Sequence, residues 1–363
     1  MGFPLELRTR IEQAAASAAP GDLQRAAQAM SEAYRTRTGR GARMVQTEVA
    51  VLAYAAARMP ATFGAAAQAM AWMRAAMEDA PESLLDVGAG TGAAAWAARE
   101  VFPEVREYAM WEREPAMIAL GERLMRDEAA FAGAAWMQGD LLHGLAGRRA
   151  ELVTAAYALG ELTPEAREAA VAALYAAAEK ALLLVEPGTP EGYRQMRAAR
   201  QQLLGLGAKV AAPCPHEGAC PLEAGDWCHF RVRVARSRLH KRLKGGDAPF
   251  EDEKFCYLAV VKPGVAVHPA AARVLRHPAK QAGFVELAVC TAAGTREARR
   301  VSKKQGAAFR MARKAEAGDE LEGGERRGAA EVGWNAAEAA GKGKGEIWTS
   351  GGGLRERETG ARK

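Results

Sequence analysis

Hydrophobic and polar positions divide this chain into stretches of different period. From Leu5 to Glu78 alanine, leucine, methionine and glutamine dominate, with breaks at Pro20-Gly21 and around Met59-Pro60, which predicts a helical region over 1–80. At Ser83 the pattern changes. SLLDV is a short apolar run, GAGTG a glycine-rich turn and AAAWAARE an alanine-rich amphipathic stretch, so strand, loop and helix are expected in that order. EYAMWERE, AAWMQGDLL, ELVTAAYALGEL and KALLLVEPGTPEGY repeat the strand signal between helical stretches, as a doubly wound parallel sheet over 81–205 requires. Residues 206–322 form a third region. It holds two further strand-like runs, KFCYLAVVK and GFVELAVCTAAG, which read as an antiparallel pair closing the sheet. From Gly323 to the end, eleven glycines in forty-one residues with mixed charge and no apolar period predict a disordered tail over 323–363.

Composition narrows the class. In 363 residues, 49% hydrophobic and 26% charged, there is enough apolar content for one large or two smaller globular domains. No apolar run reaches the length of a bilayer span, and MGFPLELRTRIEQ lacks the basic start and apolar core of a signal peptide, so a cytoplasmic, non-membrane and monomeric protein is expected. The net charge of +6 is unevenly spread: residues 226–320 carry twenty Lys and Arg against ten Asp and Glu. Seven of those cations, Arg231, Arg233, Arg236, Arg238, Lys241, Arg242 and Lys244, lie in RVRVARSRLHKRLK, which makes a polyanion the natural partner and a solvated charged face the alternative.

The glycine turn carries the first candidate chemistry. Gly88, Gly90 and Gly92 allow a sharp turn and close approach of a ligand, and the helix that follows offers free N–H groups. DVGAGTG is G-x-G-x-G preceded by Asp86; it is neither G-x-G-x-x-G nor a P-loop, and it matches motif I of class I methyltransferases, which bind S-adenosylmethionine (SAM). Glu112, about twenty residues on, is placed to bond ribose hydroxyls, and Asp140 at the end of the third strand to meet the adenine amino group.

CPHEGACPLEAGDWCHF places Cys214, Cys220 and Cys228 within fifteen residues of a chain with five cysteines, and Cys256 follows in the strand-like FCYLAVVK. Close cysteines in a reducing compartment point to metal rather than to a disulfide framework. The spacing is too wide for paired C-x₂-C knuckles, and soft thiolates suit both iron–sulfur and zinc. His216 and His229 beside the cysteines keep a mixed Cys/His zinc site open. Cys290, alone on a strand-like run, reads as a core residue, and Asp226 and Trp227 as residues that shape the loop.

YAAARMPATF, YALGELTPEAR, LLLVEPGTPEGY and CPHEGACPL…DWCHF…KFCYLAV occur in an order that resembles the small-subunit ribosome assembly methyltransferase-like family of bacteria and mitochondria, over roughly Ser31 to Leu321. The resemblance implies an α/β fold: a class I SAM-dependent methyltransferase (Rossmann-like) core with an N-terminal helical region and a cysteine-ligated metal-cluster insertion. It further implies a [4Fe–4S] cluster on Cys214, Cys220, Cys228 and Cys256, and the small ribosomal subunit or its rRNA as partner. A structural role, tying the basic segment to the core, is expected of the cluster.

Catalysis is the least defined call. The Asn/Asp-Pro-Pro-Tyr/Phe loop used to methylate base nitrogens is replaced by AYALGEL, and no nucleophilic cysteine lies near that strand. Tyr157 and Glu161 fall in the right region as stacking group or base. Two function classes follow, an rRNA methyltransferase and a non-catalytic iron–sulfur RNA-binding assembly factor; a small-molecule methyltransferase ranks third because of the basic region.

Overall fold

The computed structural model describes residues 2–36, 45 and 47–321. The tail over 323–363 lies outside the described residues.

Four helices open the chain: α1 (Leu5–Ala15), α2 (Pro20–Thr36), α3 (Glu48–Ala57) and α4 (Met59–Ala76). Pro20 starts α2 and Pro60 sits in the first turn of α4, where a missing N–H is harmless. The break at Arg58 bends α3 against α4 by 49°; no single helix is long and apolar enough to cross a membrane. Residues 59–67 of α4 are buried all round, because this helix is wedged between α5, β7 and β8, introduced below.

The alternating part follows as β1 (Ser83–Val87), α5 (Ala93–Val101), β2 (Glu107–Glu112), α6 (Pro115–Met125), β3 (Ala135–Gln138), β4 (Ala150–Ala156), α7 (Pro164–Ala177), β5 (Ala178–Pro187), α8 (Pro190–Gly205) and β6 (Lys209–Ala212). Next come β7 (Phe230–Ala235), α9 (Arg238–Lys244) and β8 (Phe250–Val261). The main sheet has the order β3-β2-β1-β4-β5-β8-β6, with β7 also paired to β8. Strands β1 to β5 are parallel, and β8 enters antiparallel between β5 and β6. That is the class I SAM-dependent methyltransferase arrangement of an α/β Rossmann-like sheet. The sheet thus draws β6, β7 and β8 from beyond residue 205.

A second sheet is built from β9 (Ala272–Val274), β10 (Ala279–Lys280), β11 (Phe284–Thr291), β12 (Arg296–Ser302) and β13 (Glu320–Leu321), with α10 (Ala307–Lys314) packed on β11 and β12. This corrects the expected pairing of KFCYLAVVK with GFVELAVCTAAG. The first run is β8 in the main sheet, whereas the second, β11, forms a hairpin with β12 and pairs on its other edge with β9 and β10. Alternating apolar patterns state that each run is a half-buried strand; they carry no information on which edge it joins.

Arg273 fastens the two sheets together. Only 1% exposed, it donates from Nε to Pro213 O at 2.5 Å, from Nη1 to Gly318 O at 2.7 Å and from Nη2 to Glu320 Oε1 at 2.8 Å. Gly318 itself, at φ +101°, lies against Trp72 of α4, and a Cβ there would stand 2.4 Å from the indole. Trp72 in turn meets Phe230, Phe255 and Tyr257 in one aromatic cluster. Gly318→Ala should therefore lower stability by about 1–3 kcal/mol through overpacking and an unfavourable backbone. Gly264→Ala, at φ +90° but with nothing within 4 Å of its Cβ, carries only the backbone part. Urea denaturation of both variants should show the larger loss at Gly318, and equal losses would mean that the Trp72 contact is compliant.

Candidate functional site

β1 is buried along residues 84–87, and its Asp86 turns inward: at 1% exposure it accepts a 2.7 Å hydrogen bond from Thr154 Oγ1 of β4. Burial, only partly offset by that bond, pushes its carboxyl up to about 7. The turn that follows holds Gly88, Gly90 and Gly92 at φ +69°, +57° and +89°, the region glycine alone enters freely. A Cβ on Gly88 would stand 2.9 Å from the Ala158 Cβ, and one on Gly92 2.4 Å from Met125. The loop is therefore packed between the segment after β4 and α6.

Above it lies a pocket of about 140 Å³. Of the residues expected to hold SAM, Gly88, Gly90, Glu112 and Asp140 line it, while Asp86 and Gly92 do not. Glu112 Oε2 accepts from Gly90 N at 2.8 Å, and Oε1 accepts from the amides of Arg113 and Glu114, each at 2.9 Å. A carboxylate offers about four lone-pair sites, so one is left for a ligand unless Gly90 N is released. Asp140 Oδ1 accepts from Leu142 N at 3.0 Å and so caps a short turn. Glu114, Glu161 and Arg113 complete the wall; Arg113 reaches Glu114 at 3.3 Å and Glu161 at 3.1 Å. Burial raises the Glu161 carboxyl, and the Arg113 charge holds it part-way down.

The segment after β4 is tied from below. Glu186, at the end of β5 and 1% exposed, accepts from Leu159 N at 2.8 Å and from Gly160 N at 3.3 Å; burial still pushes its carboxyl up to about 7. Tyr157 sits at φ +59° and donates its hydroxyl to Glu253 Oε1 of β8 at 2.9 Å. Of the two residues named as stacking group or base, one has its hydroxyl committed and the other is ion-paired.

Cys214, Cys220, Cys228 and Cys256 all line one largely apolar cavity of about 60 Å³ between α8, β8 and the second sheet. Cys256 donates to Cys228 O at 3.1 Å, and Cys220 Sγ lies 3.1 Å from the Tyr193 hydroxyl. Burial pushes the Cys256 thiol up to about 12 and raises those of Cys214 and Cys228. Three arginines, Arg197, Arg200 and Arg273, line the same cavity. Arg273 is described above; Arg200, 6% exposed, donates to His216 O at 2.7 Å, and its buried Nε has no partner among the described residues. Among the described residues no group of three or more His, Cys, Asp or Glu is placed to hold a metal ion. His216 lines the cavity, while His229 stacks on Trp227 at 5.4 Å outside it.

Cys290, expected as an isolated core residue, is buried but lines this cavity, with its sulfur 3.4 Å from His216 Nε2. Position in the sequence carried no sign of this, since β11 reaches the cavity from the other sheet. Asp226 and Trp227 do hold the cysteine loop: Asp226 pairs with Arg276, and Trp227 Nε1 donates to Gly188 O at 3.1 Å. The sequence reading missed Tyr54, which lines the pocket over the glycine loop, and Glu186 and Glu253, which hold the segment after β4. Only Glu186 left a signal, as an acid ending an otherwise apolar strand.

The basic run is split between β7 and α9. Arg231 and Arg233 pair with Asp252 at 3.3 and 2.8 Å, and Arg236 and Lys244 each reach Glu251 at 2.7 Å. Arg238, Lys241 and Arg242, all on α9, form no ion pair among the described residues.

Comparison with known proteins places this geometry. Residues 48–322, which include both the glycine loop and the cysteine cavity, match the family model of the mitochondrial small ribosomal subunit protein Rsm22. The chain belongs to the Rsm22 family. Human mitochondrial ribosome assembly protein METTL17 is 32% identical over 218 residues, covering 56% of this chain and 48% of that protein. The Rsm22-cox11 tandem protein 2 of Schizosaccharomyces pombe is 25% identical over 182 residues, covering 38% of this chain and 24% of that protein. This Rsm22-family chain thus spans about half the length of the human relative and a quarter of the yeast one. Among solved structures, a putative RNA methyltransferase from Pyrococcus horikoshii overlaps at TM-score 0.36 and 14% identity, over 54% of this chain and 79% of that one. The SAM-bound magnesium protoporphyrin IX methyltransferase of Synechocystis overlaps at 0.35 and 13%, over 63% and 89%. The fold assignment for this Rsm22-family chain rests on its strand order and glycine loop, not on those overlaps.

The raised Asp86 carboxyl fixes a pH response. Between about pH 4 and 7 the folded chain keeps a proton that the unfolded chain releases, so this group's contribution to stability falls as pH rises through that window and stays low above it. Asp86→Asn removes the titration. Urea denaturation from pH 4.5 to 8 should show the variant gaining on wild type as pH rises; a constant difference would mean that Asp86 ionises normally.

Proposed function

We propose that this chain is a small-subunit ribosome assembly factor that holds SAM above the glycine loop, carries a [4Fe–4S] cluster on Cys214, Cys220, Cys228 and Cys256, and binds small-subunit rRNA. The observation that carries the reading is the family match over residues 48–322, which takes in both the pocket and the cysteine cavity. Pocket chemistry supports SAM. Glu112, Glu114, Asp140 and Glu161 face a single arginine there, and SAM has a sulfonium and an ammonium against one carboxylate, so an acidic pocket attracts it. Gly88 and Gly90 leave room for the ligand, and Glu112 has an acceptor site to offer a ribose hydroxyl.

The donor set supports the cluster. Five thiols, the four named and Cys290, line one cavity with Arg197, Arg200 and Arg273 beside them. A cluster spreads its four thiolates over separate iron atoms, whereas one zinc ion needs its donors converging at about 2.0–2.3 Å. Among the described residues no group of three or more His, Cys, Asp or Glu is placed to hold a metal ion of either kind, so the cluster reading rests on the family match and on the four cysteines sharing one cavity. When bound, the cluster supplies a rigid cross-link between the loop of Cys214, Cys220 and Cys228 and strand β8.

Binding rather than methyl transfer is the reading the loop after β4 favours. Its amides at Leu159 and Gly160 are held by Glu186, its tyrosine hydroxyl by Glu253, and Glu161 by Arg113. Each group that would orient or deprotonate a nucleophile already has a partner inside the chain.

Calorimetry with SAM should give saturable heat for wild type and none for Gly90→Val, whose branched side chain enters the pocket at a left-handed backbone position. Protein purified without oxygen should contain iron and acid-labile sulfide, both lost in Cys228→Ser. Incubation with labelled SAM and precursor small subunits should leave the rRNA unlabelled. Absence of SAM heat would leave only the fold, zinc without sulfide would replace the cluster, and labelled rRNA would make the chain an enzyme.

A further inference from the structure

A cleft of about 660 Å³ separates the α1–α2 corner from α9. Arg8 of α1 stands on one wall and Arg236, Arg238 and Arg242 on the other, with Glu12 as the one acid; Leu23 and Leu243 belong to its apolar part. We propose that this cleft seats the phosphodiester backbone of the RNA strand this protein binds. The inference rests on the RNA reading above and names where on the chain that RNA is held.

Three observations converge here. The first is the distribution of ion pairs. The two β7 arginines share the single negative charge of Asp252, and Arg236 and Lys244 share that of Glu251. What remains without an ion pair among the described residues is Arg238, Lys241 and Arg242 on α9, together with Arg8 across the cleft.

The second is the helix itself. Ser237 caps α9 by accepting from His240 N at 3.2 Å, and His240 is buried on the opposite side. Arg238, Lys241 and Arg242 then stand at i, i+3 and i+4 on one face. Like charges at that spacing repel one another and destabilise a helix. Lys241 and Arg242 lie in the last turn, where cations are favoured, but Arg238 stands in the first turn of this seven-residue helix, where a cation is not; a polyanion in the cleft would offset that placement and the mutual repulsion.

The third is the shape. A concave surface with apolar walls and one sign of charge focuses potential on its interior, and mixed apolar and cationic lining suits a sugar-phosphate chain better than a lone inorganic anion. One wall, α1, precedes the residues matched by the family model, so the cleft is assembled from the family segment and the helices before it.

The test is a salt titration of full-length protein on a single-stranded small-subunit rRNA fragment, with thermal melts confirming that each variant folds. Arg8→Ala combined with Arg238→Ala and Arg242→Ala should weaken binding at least tenfold at low salt. It should also flatten the dependence of log affinity on log salt by about two units, since each lost phosphate contact removes roughly 0.7–0.9. Arg231→Ala with Arg233→Ala should leave that slope in place. If wild type binds and the triple variant keeps its slope and affinity, the cleft is not the seat although RNA binding stands. If wild type shows no salt-dependent RNA binding, the RNA reading itself falls, and the cleft with it. Equal, arginine-dependent binding of polyglutamate would assign the cleft to an acidic protein and overturn the proposal.

Discussion

Everything that distinguishes this chain from a bare nucleotide-binding sheet hangs on β8. Inserted antiparallel between β5 and β6, this twelve-residue strand is buried from Phe255 to Val261 and carries acidic residues at its exposed start. Its side chains alternate in direction, so consecutive acids serve different neighbours. Glu251 gathers Arg236, His240 and Lys244, Asp252 takes Arg231 and Arg233, and Glu253 receives the Tyr157 hydroxyl from the loop beside the glycine pocket. Three residues on, Cys256 lies opposite Glu186 in the β5 ladder and faces the thiol cavity. The glycine pocket, the cysteine cavity and the basic segment are thus attached to a single backbone.

The strength of these attachments differs with burial. Asp252 and its arginines are open to solvent, where such pairs contribute little to stability. Glu251 is a different case. Burial alone would raise its carboxyl, yet the nearby His240 and the hydrogen bonds from Lys244 and Arg236 overcome this and hold it far below the usual range. A depressed carboxyl contributes stability that is present above its unfolded-state value and lost only as pH falls through the lower, folded-state value. At neutral pH Glu251 therefore pins α9 against the body of the protein, and the outer cations of that helix are presented on a fixed surface rather than a mobile arm.

Much of this was legible in the sequence because local physics decides it. The glycine loop announces itself through positive-φ positions between an apolar strand and an alanine-rich helix, and four further strand runs in alternation leave few topologies open. What was not legible depends on contacts between distant segments. Apolar alternation in residues 284–291 could not say that the strand joins a second sheet, nor that Cys290 would reach the cavity of the other four cysteines. The run of cations was plain from Arg231 to Lys244; its partial neutralisation was not, because Glu251 and Asp252 meet those cations only across the β7–β8 register. Asp86 and Gly92, expected to hold SAM, do not line the pocket wall: Asp86 is buried against Thr154 and Gly92 against Met125.

The claim that β8 fixes the basic segment to the core is tested most directly by hydrogen exchange on wild type and Glu251→Gln. Removing that charge should speed exchange of backbone amides across α9 and the paired end of β7, while β1, β4 and β5 keep wild-type protection. Unchanged protection over residues 230–244 would contradict the account, and loss of protection throughout the main sheet would show that Glu251 supports the whole fold rather than this attachment.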